Sequence, residues 1–146
     1  MKTIKLCLSL ALCMVLTEAL ATPGTRASRP RSIVTNAADF RSLTHSADSC
    51  YMAGDYAGAS AFFAEALKYP EACAANYYNA ACCAARAGET DTAFLRLSRL
   101  MQQFPDWYSR SLGTDADLLS LHSDPRWEPF ATACKERQTR IESAYE

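Results

Sequence analysis

The sequence predicts an all-α protein, a solenoid of two helix-turn-helix repeats followed by a degenerate closing hairpin. Two glycines, Gly54 and Gly88, lie 34 residues apart, and an acidic residue directly follows each of them. Apolar residues recur at the same offset: Ala47 with Ala81, Ala59 with Ala93, Phe63 with Leu97, and Leu67 with Met101. A fixed period of this length is typical of helical hairpins that stack on their neighbours to bury an apolar face.

The helix boundaries are expected where capping residues, glycines and prolines interrupt the pattern. Gly54 and Gly88 end helices, and Pro70 and Pro105 mark the exits of the two hairpins. The four expected helices run from near Thr35 or Asn36 to Met52 or Ala53, from about Asp55 to before Pro70, from about Glu71 to Ala87, and from about Thr90 to Gln103. They make up two repeats, at about 40–73 and 74–107.

The closing segment, residues 108–134, breaks the period, because the position 34 residues after Gly88 is His122. Asp115–Leu121 is expected to form a short capped helix. Asp124 and Pro125 suit the cap and first position of a last helix, but Pro129 would then crowd its first turns, so the regular helix is alternatively expected to begin at Pro129. Residues 135–146 form its polar end, and the folded domain is expected to span 35–134.

The N-terminal residues predict an export signal. Lys2 and Lys5 supply positive charge, Leu6–Leu16 is an apolar run of 11 residues, and Ala19–Ala21 has the form of a cleavage site. Such a run is typical of a secretory signal peptide and is too short to cross a bilayer. We therefore expect residues 1–21 to be removed after Ala21, and the protein to be secreted or periplasmic without a membrane anchor.

Residues 22–34 are expected to form a disordered tether. Thr22–Ser32 contains two prolines, a glycine and three arginines, with almost no apolar surface to bury. A basic arm that docks on an acidic partner is the alternative. Without the signal peptide the chain carries 13 basic and 15 acidic residues, a formal charge of −2. This balance gives no reason to expect nucleic acid or an anionic membrane as a partner.

The repeated residues resemble the tetratricopeptide repeat (TPR). The family pattern of glycine, acid and tyrosine, then alanine, an aromatic residue and Ala-Leu, is matched by Gly54-Asp55-Tyr56, Ala59, Phe63 and Ala66-Leu67. The tail, with Asp124-Pro125-Arg126-Trp127, is similar to the end-of-group form of this repeat in exported bacterial proteins. The resemblance covers about residues 36–134. It implies a scaffold for a peptide or protein partner, because such repeats carry unrelated partners on one framework.

In the family's geometry the first helix of each hairpin lines a concave groove. The resemblance therefore implies a set of groove positions: Arg41, Thr44, Asp48, Tyr51 and Met52 in the first repeat, and Ala75, Tyr78, Cys82, Ala85 and Arg86 in the second. Asn79 also belongs to this predicted groove, because it matches one position of the family's clamp for a C-terminal carboxylate. The other clamp positions do not match. Arginines, an acid and tyrosines suit a peptide held by hydrogen bonds and aromatic contact.

The sequence offers little for catalysis. It has no phosphate-binding loop and no H-E-x-x-H motif, so we expect no enzyme activity and no cofactor. The five cysteines outside the signal are Cys50, Cys73, Cys82, Cys83 and Cys134. They lack the spacing of a zinc site, so no metal is expected.

The cysteines are expected to be small buried residues, or to include one disulfide of Cys50 with Cys82 or Cys83. The alternative functions are a thiol-active or redox-active secreted protein that uses Cys50, Cys82 and Cys83, and an accessory subunit of an exported hydrolase.

Overall fold

The computed structural model describes residues 33–145. That range is all-helical and contains no β-strand, which confirms the all-α prediction. The helices are α1 (Ile33–Met52), α2 (Tyr56–Ala66), α3 (Ala74–Arg86), α4 (Thr90–Gln103) and α5 (Trp127–Ser143), and short 3-10 turns lie at Leu112–Thr114 and Leu119–Leu121. None of the helices in this range has both the length and the apolar character that a membrane span requires. The signal-peptide prediction and the tether prediction for residues 22–32 lie outside the described residues.

The two glycines of the period make the same turn. Gly54 and Gly88 have φ of +79° and +77°, a region that side chains other than glycine rarely adopt. After each glycine the amide reaches back to the preceding helix: Asp55 N donates to Cys50 O over 2.9 Å, and Glu89 N to Ala84 O over 2.8 Å. This is the Schellman arrangement that satisfies the last carbonyls of a helix. Each turn therefore ends one helix and starts its partner.

Consecutive helices pack against one another, α1 with α2, α2 with α3, and α3 with α4. Helix α3 is the most enclosed of them, since Tyr77 and all six residues of Ala80–Ala85 are buried. Its alanines bring no long side chain to these contacts, which lets neighbouring helices approach closely. The larger apolar side chains that fill the adjacent space are Phe63, Leu97, Leu100, Leu118, Leu121 and Trp127.

A buried arginine joins three of the helices. Arg96 on α4 is 7% exposed, and its guanidinium donates to Ser60 O on α2 over 3.0 Å and to Ala80 O on α3 over 2.6 Å. It also donates to Ser60 Oγ over 2.9 Å, and that hydroxyl donates to Glu89 Oε2 over 2.8 Å. The planar fork of arginine suits several acceptors at once. Its charge is thus enclosed only because two other helices supply acceptors.

Two helix starts differ from the prediction. Helix α1 begins at Ile33, so Asn36 lies inside the helix instead of capping it, because no proline or glycine follows Pro30 to stop the helix from starting earlier. Helix α3 begins at Ala74, not Glu71, because Cys73 is extended at φ −100° and ψ 176°. Asn76 Oδ1 accepts from the Cys73 backbone N–H over 2.9 Å and closes this start. Helix α4 has the predicted bounds.

The closing segment also differs. Instead of a short helix over Asp115–Leu121, the structure has a turn followed by the second 3-10 turn. Asp115 Oδ1 accepts from the amide of Asp117 over 3.0 Å, and such a local side-chain bond competes with helix formation. Helix α5 begins at Trp127 and not at Pro125 or Pro129. Pro129 is its third residue, where an N–H would have no partner within the helix, so the proline costs no hydrogen bond.

Helix α5 is held against the end of α4. Trp127 and Cys134 are buried in the same cluster as Leu100. The guanidinium of Arg137 donates to Met101 O over 2.9 Å and to Phe104 O over 3.3 Å. These carbonyls belong to the C-terminal end of α4, where helix carbonyls lack intrahelical donors and cations are favourable. The arginine thus closes one helix and holds the next one on it.

Replacing Gly88 with alanine tests the turn. A Cβ at this position would meet nothing within 4 Å, so the cost is the positive φ alone, about 1–2 kcal/mol of unfolding free energy. Gly113→Ala is the matched control, because a Cβ there also has open space and no positive φ is required. Urea denaturation of both variants measures the difference. Equal stability of the two variants would contradict the left-handed turn.

Replacing Arg96 with alanine is expected to lower the unfolding free energy by about 3 kcal/mol, because buried carbonyls and the Ser60 hydroxyl lose a charged donor. Arg99→Ala is the control, since Arg99 lies on the same helix and is exposed. Its loss should change stability by less than about 0.5 kcal/mol. Chemical denaturation measures both losses. Similar unfolding free energies for the two variants would contradict the role of Arg96 in holding the helices together.

Candidate functional site

A cavity of about 250 Å³ lies between α1, α3 and the segment that joins α4 to α5. We call it the groove cavity. Its walls are polar and aromatic at the rim and apolar at the base, and the lining residues are Asp48, Tyr51, Phe63, Tyr78, Asn79, Cys82, Cys83, Asp115 and Asp117. Phe63 and Cys83 are almost fully buried and separate the cavity from the core.

Five of the eleven predicted groove residues line this cavity: Asp48, Tyr51, Tyr78, Asn79 and Cys82. The 34-residue period explains part of this set, because Asp48 and Cys82 occupy the same repeat position on α1 and α3. Arg86, a sixth, lies beside the cavity and its guanidinium approaches Asp117 Oδ1 at 3.4 Å. The guanidinium also lies over the ring of Tyr56, 4.4 Å from its centroid.

Five further predicted groove residues lie outside the cavity lining. Two of them are alanines of α3: Ala75 is exposed and Ala85 is buried. Thr44 turns its hydroxyl onto its own helix, where it donates to Phe40 O and Arg41 O over 3.2 and 3.0 Å. Arg41 is exposed one turn further towards the start of α1. Met52, the last residue of α1, is 83% exposed. The cavity therefore involves only the C-terminal half of α1, and a binding role for these five residues stays a prediction.

The sequence pattern did not identify Asp115 and Asp117 as part of the site. Tyr78 donates its hydroxyl to Asp115 Oδ2, and Tyr51 donates to Asp117 Oδ2, each over 2.6 Å. Hydrogen bonds from hydroxyl to carboxylate at this distance are charge-assisted and strong. Two tyrosines on different helices thus hold the acidic turn on one side of the cavity. The sequence showed only that acidic residues cluster in this segment. It did not indicate which helices the segment would contact.

The two tyrosine hydroxyls are donors, not bases. The hydrogen bond to Asp117, with burial second, raises the pKa of Tyr51 to about 12. Burial raises the pKa of Tyr78 well above its usual range, and the hydrogen bond to Asp115 adds to the effect. In both cases a nearby carboxylate disfavours the phenolate. Both groups are therefore protonated at neutral pH and keep their bonds to the acidic turn.

The thiols of the cavity are protonated as well. Burial, and then the charges of Asp115 and Asp117, raise the pKa of the Cys82 thiol far above its usual value. Burial raises the pKa of Cys83 to about 11, an effect that the charge of Arg96 partly offsets. Nucleophilic thiols need the opposite, a lowered pKa and access to solvent. The alternative of a disulfide between Cys50 and Cys82 or Cys83 is not found, since all five cysteines of the described range are free.

Thiol reactivity tests this assignment. A pKa of about 11 for Cys83 leaves about 100-fold less thiolate than an ordinary cysteine has, before burial is counted. We expect a disulfide reagent at neutral pH to modify exposed Cys73 quickly, and to modify Cys82, Cys83 and Cys134 at least about 100-fold more slowly. Mass spectrometry of the modified peptides assigns each rate, and Cys73→Ser should lose the fast phase. Rapid modification of Cys82 would contradict the buried, protonated thiol.

Comparison with known proteins finds no match to this chain among family models, curated proteins or solved structures. A function is therefore inferred from the groove cavity and from the helices that form it.

Proposed function

We propose that this chain is an exported, non-catalytic scaffold of the tetratricopeptide-repeat type that binds a peptide or protein segment in the groove between α1 and α3. One observation carries the proposal: residues expected at the groove positions of both hairpins, Asp48 and Tyr51 on α1 and Tyr78 and Cys82 on α3, line one shared cavity. Residues from two successive hairpins meet in this way when the first helices of those hairpins face the same side.

The order of helix contacts supports a stacked arrangement. Helix α2 contacts α1 within its own hairpin and α3 of the next hairpin, and α3 contacts α4. The same glycine turn closes the first helix of each hairpin, at Gly54 and at Gly88. A solenoid of two repeats needs this neighbour-to-neighbour pattern, together with an atypical last unit that shields its end. The proposal assigns that role to the segment after α4 and to α5.

The size of the cavity favours a peptide over a small-molecule ligand. A volume of about 250 Å³ falls below the range of about 300–1,000 Å³ that is typical of sites for small molecules and cofactors. It suits one anchoring side chain of a longer segment. Tyr51 and Tyr78 offer partly exposed aromatic rings, and Asp48 and Asn79 offer exposed polar groups that can bond to a peptide backbone.

A thiol-active function has less structural support than peptide binding in the same cavity. Cys82 and Cys83 are 5% and 1% exposed, and both have raised pKa values, which opposes nucleophilic or redox-sensing chemistry. The accessory-subunit alternative has no structural observation of its own, and it would use the same groove for its partner.

Site-specific crosslinking tests the proposed groove. A photo-crosslinking residue placed at Asn79 is expected to capture a discrete partner in cells of the source organism. The same residue at Gln102, exposed on α4 and outside the cavity, should capture none. With the partner identified, Asp48→Ala combined with Asn79→Ala is expected to weaken binding at least about tenfold, a loss of about 1.4 kcal/mol.

Two matched variants control for this loss. Gln102→Ala and Asp106→Ala remove an amide and a carboxylate that are exposed elsewhere on the chain, and both should leave the affinity unchanged. The proposal fails if Asn79 and Gln102 give the same adducts, or if the double variant binds as tightly as the unaltered protein.

A further inference from the structure

We propose that the groove cavity contains a binding site for a thiolate-binding divalent cation of the Zn²⁺ class, with Cys82, Asp115 and Asp117 as protein ligands. Each of the three residues offers one ligand atom, and these atoms all lie within 4.8 Å of one another. One sulfur and two carboxylate oxygens are all ligand types that Zn²⁺ takes in proteins. The site goes beyond the peptide-binding proposal and does not depend on it.

The state of Cys82 is an independent reason to expect a ligand. The residue is 5% exposed, it lines the cavity, and its thiol makes no hydrogen bond to another residue in the range 33–145. Exposed Cys73, by contrast, has its thiol 3.1 Å from Asn76 Oδ1. A buried thiol is a weak donor that can lack a partner, but here two carboxylate oxygens lie within 4.8 Å of the sulfur. A cation between the three groups would give the sulfur a partner.

The two carboxylates are already oriented by other residues. Tyr51 and Tyr78 donate to Asp117 Oδ2 and Asp115 Oδ2, and the backbone amide of Asp117 donates to Asp115 Oδ1. The guanidinium of Arg86 lies 3.4 Å from Asp117 Oδ1. Hydrogen bonds of this kind to carboxylate ligands are a regular feature of metal sites, where they fix the ligand's direction. The second lone pair of each carboxylate oxygen stays available to a cation. The tyrosines are thus positioning residues for the site.

The ligand set also selects the class of cation. A thiolate ligand favours Zn²⁺ and similar ions over Mg²⁺ and Ca²⁺, which take oxygen ligands. Binding of the cation would release the thiol proton of Cys82 to solvent. The divalent charge, with the Arg86 guanidinium beside Asp117, would then offset the three negative charges of a thiolate and two carboxylates. Because Zn²⁺ is usually four-coordinate, three protein ligands leave one position for a water or for a donor atom of a bound peptide.

Cobalt substitution tests the site without altering the protein. Co²⁺ added to the purified protein under reducing conditions is expected to bind with one ion per chain. It should give a thiolate-to-cobalt charge-transfer band in the near ultraviolet that Zn²⁺ abolishes by competition. Cys82→Ser should remove the band, and Asp115→Asn should weaken Zn²⁺ binding at least about 100-fold. The proposal is overturned if the unaltered protein gives no charge-transfer band.

Control variants separate this site from non-specific binding. Cys73→Ser removes an exposed thiol and Asp106→Asn an exposed carboxylate, and both should leave the band and the affinity unchanged. Tyr78→Phe keeps the ligands but removes one orienting hydrogen bond, so about 10–100-fold weaker Zn²⁺ binding with the band retained is expected. A band that persists in Cys82→Ser but disappears in Cys73→Ser would assign the cobalt to the surface and refute the site. Circular dichroism checks that each variant keeps its helices.

Discussion

The guanidinium of Arg96 is the joint on which the arrangement of the hairpins depends. It connects α4 to a backbone carbonyl on α3 and to the backbone and hydroxyl of Ser60 on α2. An arginine enclosed in this way is stable only while all its acceptors stay in place, so it ties the relative position of the two hairpins to one set of hydrogen bonds. The groove cavity lies between α1 and α3, and its shape follows from that position.

Features with a local cause could be predicted from the sequence. The glycine turns at Gly54 and Gly88 need only the backbone freedom of one residue and a repeated pattern of apolar contacts, and both helices that they end have the expected C-terminal limit within one residue. Other features depend on contacts that no local pattern records. The start of α3 follows from a capping interaction between Cys73 and Asn76. An arginine such as Arg96 would be expected on the surface from sequence alone, and only the acceptors on two other helices account for its burial.

The same distinction divides the candidate site. Asp48 and Cys82 could be predicted because the resemblance to the tetratricopeptide repeat implies groove positions, and the 34-residue period places the two residues at equivalent points. Asp115 and Asp117 could not, because the segment that carries them has no repeat partner and takes its position from two tyrosine hydroxyls. The cavity therefore combines one wall that the family resemblance implies with a second wall that only the tertiary structure determines.

The origin of that second wall limits how the architecture can be enlarged. Asp115 and Asp117 follow the last hairpin in the chain and return to contact helices of both hairpins. In the proposed stack of hairpins, a further hairpin inserted after α4 would separate these carboxylates from Cys82 by the thickness of one added unit, whereas a hairpin added ahead of α1 would leave them in place. Duplication of hairpins, in evolution or in engineering, can preserve this cavity in one direction only.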